Sequence, residues 1–274
     1  FTSKLNTMIP KKRNRIVIYS NWGFRDNIRT LYQYLVDNGY QDKYEIVCAS
    51  NNFYHLDRDN RVKFVSIYQG LYYFLTSKYF FYSFGKYPIK PSNNQMVVNL
   101  WHGMPLKKIG NLENGMENID YNFFTKVVSS SDLFTPIMKA AFNANDEQIL
   151  LVGNIRNDEL FEEEKDKNII WMPTYRNSNN YHDSQDAIIF SLDDNEFRII
   201  NKLLLEYEYH LYIKLHPLEE SHFKFKNNYS NIHMLSEDAI SQHYGTLYKF
   251  LGTTSALITD YSSVFLDYYL LNRP

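Results

Sequence analysis

The sequence predicts two tandem α/β domains, each built around a parallel sheet, and three observations lead to this fold class. Short runs of β-branched and apolar residues alternate with amphipathic or aromatic stretches, as in parallel sheets covered by helices. Most of these runs end in polar residues, where a strand would pass into a loop. An acidic and lysine-rich stretch, Phe161–Lys167, interrupts the alternation, and it places the boundary between domains 1–163 and 164–274.

The first domain is predicted to begin with a strand, a loop and a helix. The run Arg15–Ser20 is rich in β-branched residues and leads to Asp26, which we expect to cap a helix from Ile28 to Asn38. Gly39 is expected to end that helix. Further strands are predicted at Tyr44–Ala49, Arg61–Ile67 and Met96–Leu100.

The second domain repeats this alternation. After a strand at Asn168–Met172, Ser191 and Asp194 form a capping-box pattern for a helix that runs to about Tyr207. An α/β fold normally adds a strand after its last helix, and the chain does not begin with methionine, so we expect the full-length protein to be longer. The remaining strands are predicted at Tyr209–Leu215, Ile232–Leu235 and Ala256–Thr259, and the remaining helices at Gln242–Leu251 and Val264–Leu271.

Composition restricts the class of protein. With 274 residues, of which 44% are hydrophobic and 22% charged, the chain is expected to fold around a large core. A net charge of −2 gives no overall attraction to nucleic acid, so no nucleic-acid partner is expected. The single cysteine, Cys48, cannot form an intramolecular disulfide and fits a reducing compartment. No apolar run approaches the ~18 residues that span a bilayer, so no transmembrane segment is expected.

The strand Met96–Leu100 delivers the first candidate site residue. It is followed by His102 and Gly103, and two lysines come shortly after. A histidine at a strand end, beside a glycine that lets a substrate approach the backbone, suits a general base with phosphate neighbours. A histidine that caps a turn is the alternative.

A second strand end repeats this geometry. The run Tyr209–Leu215 passes into His216, and Pro217 stops the strand. Lys214 lies two residues before His216, so both side chains are expected on the same side of the strand, where the pair could bind phosphate. An ordinary surface strand end is the alternative.

Two further loops offer donors to an anion. After the last predicted strand, Ser262 and Ser263 stand at a helix start, where hydroxyls and backbone amides could hold a pyrophosphate. N-capping by either serine is compatible with that role. After the first strand of the second domain come Thr174 and Arg176, and an arginine there could make paired hydrogen bonds to phosphate.

Other patterns are weaker. Asp57 and Asp59 have the spacing with which nucleotide-sugar transferases hold a divalent cation, but a turn before the next strand explains them more simply. The segment Gly153–Asp158 is interpreted as a junction at the end of the first domain. The sequence has no glycine-rich phosphate loop and no zinc motif, so nucleotide binding must come from the loops above.

Five segments form a set whose order is informative: Trp101–Lys108, Gly153–Asp158, Pro173–Arg176, Leu215–Pro217 and Ile258–Ser263. In this order they resemble the CDP-glycerol:poly(glycerophosphate) glycerophosphotransferase family, over residues 95 to 274. The first and last segments are the most specific. Met104, where the family often has threonine, and Asn154-Ile155, in place of a more usual Tyr-Pro, are modest departures.

The resemblance implies a GT-B-like fold, with two Rossmann-type domains facing across a cleft. Domain 1–163 would lie on the acceptor side, and domain 164–274 would bind the CDP donor. The resemblance also implies that His102 and His216 are the catalytic residues. With the strand-end arguments it predicts these substrate-binding residues: Gly103, Thr174, Arg176, Lys214, Pro217, Asp260, Ser262 and Ser263.

The activity implied is transfer of glycerol phosphate, or a related polyol phosphate, from a CDP-activated donor to a hydroxyl of a teichoic-acid-like or capsular polymer, with release of CMP. We expect His102 to take the proton of the attacking hydroxyl. No metal ion or cofactor is expected, since His216, Arg176 and the helix start after the last strand could neutralise the phosphate charge. The alternatives are a GT-B glycosyltransferase that uses a nucleotide-sugar and a non-catalytic nucleotide-binding module.

The resemblance also implies a lipid-linked acceptor, and therefore peripheral association with the cytoplasmic face of the plasma membrane. The aromatic and basic stretch Tyr72–Lys90 is a candidate membrane contact. Packing of these side chains within the domain explains the stretch equally well.

Overall fold

The computed structural model describes residues 2–21, 23–54, 56–83, 86–162, 164–174, 192–215, 225 and 227–274. It divides into two compact units, Phe1–Arg156 and Asn157–Pro274. The division falls inside the 3-10 helix Ile155–Phe161, before the charged stretch at which the sequence placed the boundary. Apolar packing is the reason, because Leu160 of this helix is fully buried in a hydrophobic cluster of the second unit.

The first unit is built on parallel strands. In chain order they are β1 Lys12–Ser20, β2 Glu45–Ser50, β3 Lys63–Val65, β4 Ser77–Tyr82, β5 Met96–Asn99, β6 Lys126–Ser129 and β7 Ile149–Leu151. They form one sheet in the order β3-β2-β1-β4-β5-β6-β7, with every neighbouring pair parallel. The helices are α1 Thr2–Met8, α2 Asp26–Asp37, α3 Ile67–Thr76 and α4 Thr135–Phe142.

Buried apolar runs hold this sheet together. Val17 and Ile18 of β1 are fully buried, as are Val47 and Cys48 of β2, and the two strands pair in register. Uninterrupted apolar strands are typical of parallel sheets that are covered on both faces. Cys48 carries a free thiol whose pKa is raised by burial, which fits a packing residue rather than a reactive one.

The stretch Tyr72–Lys90 contains a central strand rather than a surface patch. It includes β4, which lies between β1 and β5. Phe74, Phe80, Tyr82 and Tyr87 are almost completely buried, and their rings pack on one another at centroid distances from 4.5 to 6.2 Å. Packing, the alternative left open by the sequence, therefore accounts for these four aromatic residues.

The second unit has a smaller parallel sheet. Its strands are β8 Asn168–Met172, β9 His210–Ile213, β10 Ile232–Met234 and β11 Thr254–Thr259, in the order β10-β9-β8-β11. In the described ranges of this unit the helices are α5 Asp194–Tyr207, α6 Glu237–His243, α7 Leu247–Thr253 and α8 Val264–Tyr268. Among the helices of the described ranges, none combines the length and apolar character that crossing a membrane requires.

The predicted cap of α2 is wrong. Asp26 is the first helical residue, and its φ of +52° is left-handed rather than the extended conformation of an N-cap. Arg25 occupies the cap position in extended conformation and makes no side-chain capping bond. The Asp26 carboxylate instead lies 3.6 Å from the guanidinium of Arg156. An ion pair with a distant segment therefore replaces the local cap.

Two predictions in the second unit also need correction. The capping box of α5 is formed by Asp193 and Glu196, whereas the predicted Ser191 lies outside the described residues. The predicted helix Gln242–Leu251 is two helices, α6 and α7, because Gly245 between them has a φ of +77° and ends the helical path.

Candidate active site

A candidate catalytic site of the first unit lies at the carboxyl ends of β4 and β5. These strands pair in parallel, with Tyr82 opposite Asn99, so the loops that follow them start side by side. His102 follows β5, Ser83 follows β4, and a hydrogen bond joins the His102 imidazole to the Ser83 backbone. The topology of the sheet therefore places the predicted base where a ligand of an α/β fold normally binds.

The backbone around His102 is held in an uncommon conformation. Trp101 has a φ of +56°, which costs a non-glycine residue roughly 1–2 kcal/mol. Its N–H donates to Oδ1 of Asn99 at 3.0 Å, and its carbonyl accepts from Nδ2 of Asn27 at 3.0 Å. The buried indole lies against the imidazole, with ring centroids 4.0 Å apart. Gly103 follows with a φ of +121°, which only glycine adopts easily.

The surroundings of His102 keep its imidazole neutral. Burial is the largest influence and lowers the pKa of the ring. The hydrogen bond to Ser83 and the negative Asp26 raise the pKa, while the positive Arg156 lowers it. Because the balance is a lowered pKa, the ring is uncharged near neutral pH, with one nitrogen protonated and the other able to accept a proton. This is the state that a general base requires.

Gly153–Asp158, interpreted from sequence as a junction, contributes to the surroundings of His102. Arg156 is buried, its backbone N–H donates to Oδ1 of Asn27 at 3.1 Å, and its guanidinium faces Asp26. Asn27 and Arg156 were not predicted as site residues. The strand that precedes Arg156, β7, has only three residues and is too short to be recognised from its pattern.

In the second unit, other predicted site residues lie in the loops after β8 and β11. These strands pair with Met172 opposite Thr259, so Thr174 and Asp260 emerge next to each other. Oδ1 of Asp260 accepts hydrogen bonds from the Thr174 backbone N–H, at 2.8 Å, and from the Thr174 hydroxyl. A carboxylate repels phosphate, so this geometry favours a role for Asp260 in shaping the loop over direct contact with a phosphate.

The two serines stand immediately before α8. Oγ of Ser262 accepts a long hydrogen bond, 3.4 Å, from the Val264 N–H, whereas Ser263 sits at the N-cap position without a side-chain capping bond. Both are half-buried. Asp267 anchors the helix below them by accepting from the Tyr248 hydroxyl at 2.6 Å. Neither serine therefore forms a regular N-cap bond, because Ser262 precedes the cap position.

Lys214, predicted to bind phosphate together with His216, forms an ion pair within the second unit. Its side chain is buried and its ammonium group lies 2.6 Å from Oε1 of Glu237, at the start of α6. A phosphate would have to compete with this carboxylate. Glu237 gave no sequence signal, because only the pairing of β9 with β10 brings the start of α6 to this strand end.

Three predicted site residues, Arg176, His216 and Pro217, lie outside the described residues. Of the weak metal candidates, Asp59 accepts from the Arg61 N–H at 2.8 Å and pairs with the Arg61 guanidinium at 2.6 Å, as expected for a turn before β3. Within the described ranges no group of three or more His, Cys, Asp or Glu side chains could hold a metal ion. Metal-independent turnover stays a prediction.

The comparison with protein families decides the relationship. The model of the CDP-Glycerol:Poly(glycerophosphate) glycerophosphotransferase family matches residues 1–274. The chain belongs to this family. The match extends over the whole chain, whereas the sequence motifs suggested it only from residue 95 onward.

Curated relatives carry teichoic acid names. The chain is 26% identical to the teichoic acid poly(ribitol-phosphate) polymerase of Bacillus spizizenii, covering 100% of this chain and 48% of that protein. It is 30% identical to the teichoic acid glycerol-phosphate primase of Bacillus subtilis, covering 65% of this chain and 48% of that protein. The chain thus spans about half the length of these two relatives.

Solved structures identify the fold. The wall teichoic acid polymerase TagF superimposes with a TM-score of 0.75 at 20% sequence identity, over 96% of this chain and 70% of that chain. Together with the parallel sheets of both units, this confirms the predicted α/β, GT-B-like fold class.

Proposed function

We propose that this chain transfers glycerol phosphate, or a related polyol phosphate, from a CDP-activated donor to a hydroxyl of a teichoic-acid-like or capsular polymer. Membership of the family and the names of the relatives support the class of reaction. The observation that carries the proposal is the His102 imidazole, which is partly buried, neutral and held at a strand end by Ser83 and Trp101.

The proposed reaction begins with proton transfer. His102 takes the proton of the acceptor hydroxyl as its oxygen attacks the β-phosphorus of the donor. The new P–O bond forms on the acceptor while the bond from the β-phosphorus to the bridging oxygen breaks. CMP leaves with that oxygen and its electron pair. Histidine suits this step because its neutral form accepts a proton near neutral pH.

Donor phosphates need neutralising groups, and we assign this role to the second unit. Ser262 and Ser263 offer hydroxyl donors, and Thr174 is held in place by Asp260. Arg176 and His216, which lie outside the described residues, would add positive charge. These groups are proposed to act without a divalent metal ion.

The soak of a TagF variant with CDPG supports the proposal of a CDP-linked donor. The TagF structures include variants in which one histidine is replaced, and one such variant was soaked with CDPG. For this chain we propose an acceptor polymer that is lipid-linked at the cytoplasmic face of the membrane, with the chain associated peripherally.

The test is a donor screen that identifies the nucleotide released. Purified protein is incubated with CDP-glycerol, CDP-ribitol or UDP-sugars and a polyol-phosphate acceptor, with and without EDTA. We expect CMP release that persists in EDTA, and a loss of about 10²–10⁴-fold in kcat for His102→Gln. His243→Ala is the matched control, because His243 is exposed on α6 and should leave turnover unchanged. UDP release, or full activity of His102→Gln, would overturn the proposal.

A further inference from the structure

Asn27 is a buried polar residue in the first turn of α2. Its side chain is fully shielded from solvent. Asparagine is mostly exposed in proteins, and a buried amide is tolerated when its donors and its acceptor find partners. The contacts of this amide therefore indicate why the residue is buried.

The Asn27 amide joins three segments of the first unit. Nδ2 donates to the carbonyl of Trp101 at 3.0 Å and, more weakly, to that of Leu100 at 3.4 Å. Oδ1 accepts from the backbone N–H of Arg156 at 3.1 Å. One side chain thus connects α2 to the loop after β5 and to the segment after β7.

These contacts fall on the peptide groups that orient the candidate base. The Trp101 carbonyl belongs to the peptide plane that leads directly into His102, and a peptide plane is rigid. The backbone of Trp101 is in the left-handed region, with a φ of +56°. Without a bond from another segment, this peptide plane would be free to rotate to a more favourable conformation. The Arg156 amide, in turn, belongs to the residue whose positive charge lowers the His102 pKa.

We propose that Asn27 is a positioning residue for the transfer reaction, which fixes the direction of the His102 imidazole and its distance from Arg156. The inference rests on the proposed function for its role in catalysis. It does not require Asn27 to touch a substrate, because every contact of its amide in the described residues is to the backbone of the protein.

A purely structural role would give a different result. If Asn27 only docked α2 on the sheet, its replacement would lower stability and leave the folded fraction with normal kinetics and a normal His102 titration. A positioning residue instead changes kcat more than KM, because the donor site is untouched while the base is displaced. A displacement of 1 Å can cost about 100-fold in rate.

The experiment compares Asn27→Ala and Asn27→Ser with Gln33→Ala. Gln33 lies on the exposed face of the same helix and bonds only to Asp37 in the described contacts. Asn27→Ser keeps a neutral hydroxyl that is too short to bond to both loops, and it adds no buried charge. It serves as the milder replacement if alanine prevents folding. Circular dichroism and urea unfolding establish the folded fraction of each variant.

Two measurements distinguish a positioning role of Asn27 from a purely structural one. For CMP release from CDP-glycerol we expect kcat about 100-fold lower in both Asn27 variants, with the donor KM changed by less than about threefold. In an NMR titration, the His102 signal, assigned by its absence in His102→Gln, should move to higher pH in Asn27→Ala, because a loosened loop admits water and reverses the effect of burial.

The titration does not depend on turnover, so the inference and the proposed function can fail separately. If the wild-type protein releases no CMP, the proposed function fails, and a His102 titration that moves in Asn27→Ala still supports the positioning role. Folded Asn27 variants with the kcat of Gln33→Ala and an unchanged His102 titration would overturn the inference.

Discussion

Removal of the Asp260 carboxylate should destabilise the second unit by about 3 kcal/mol. The carboxylate accepts two hydrogen bonds from Thr174, and a hydrogen bond to a charged group contributes about 1.5–3 kcal/mol. Both residues are half-buried, so water can partly replace the lost partner and the low end of that range applies to each bond. Asp260→Asn keeps one oxygen acceptor without the charge and should lose only about 1 kcal/mol.

The assay is equilibrium urea unfolding combined with hydrogen exchange. The change in stability comes from the shift in the unfolding midpoint at constant slope. Hydrogen exchange of the peptide that contains Thr174 locates the effect, because the amide that Asp260 protects should exchange faster in Asp260→Ala. Thr174→Ser, which keeps the hydroxyl, is the matched control and should remain close to the wild-type protein.

A double-mutant cycle provides the decisive comparison. Thr174→Ala removes the hydroxyl bond alone, so its effect should be partly contained in that of Asp260→Ala, with a coupling energy of about 1 kcal/mol. Purely additive effects, or a loss below about 0.5 kcal/mol in Asp260→Ala, would refute the loop-holding role. A raised donor KM with unchanged stability would instead support the original expectation that Asp260 contacts the substrate.

Two further predictions concern stability. Glu45 accepts from Arg15 at 2.8 Å and from Lys63 at 2.6 Å, and although burial acts in the opposite direction, these bonds lower its pKa to about 2. A carboxylate whose pKa is lowered by folding stabilises the folded state at pH values above its unfolded pKa. Glu45→Gln should therefore lower the free energy of unfolding by roughly 2 kcal/mol at pH 7, and this difference should vanish as the pH falls from 4.5 to about 2. A difference in urea midpoint that does not depend on pH would contradict this prediction. Gly252→Ala should lower stability by about 3 kcal/mol in urea unfolding, because a Cβ there would lie 2.6 Å from the Leu160 carbonyl oxygen. Gly153→Ala, where nothing lies within 4 Å of the added Cβ, should have little effect in the same assay.

Local sequence patterns predicted the strands that carry β-branched residues. The strand Asn168–Met172 has its predicted bounds, and Arg15–Ser20 lies within β1. The strands that the pattern missed are of two kinds. β4 is aromatic rather than β-branched, so its run suggested a surface as readily as a core, and β6 and β7 are too short to show a period.

The candidate site was likewise predictable only in part. Parallel topology alone predicted that His102, Thr174 and Asp260 would emerge at strand ends, and they do. Sequence could not predict the partner of each side chain. Asn27 contacts a loop more than 70 residues away, and the contact depends on how α2 packs on the sheet. Lys214 illustrates the consequence, because its pairing with Glu237 was not visible in the strand that carries it.

In both units a side chain holds loops in place at the carboxyl edge of the parallel sheet. Loops at the carboxyl edge of a parallel sheet leave backbone amides and carbonyls without strand partners, so neighbouring loops stay in place only if a side chain bonds to them. In the first unit the amide of Asn27 bonds to the loop after β5 and the segment after β7. In the second unit the carboxylate of Asp260 bonds to the loop after β8. Both side chains bond to the protein itself, Asn27 to backbone groups of two segments and Asp260 to Thr174. These contacts are therefore better explained by the need to hold the loops that carry the candidate site residues, His102 above all, than by contact with a substrate.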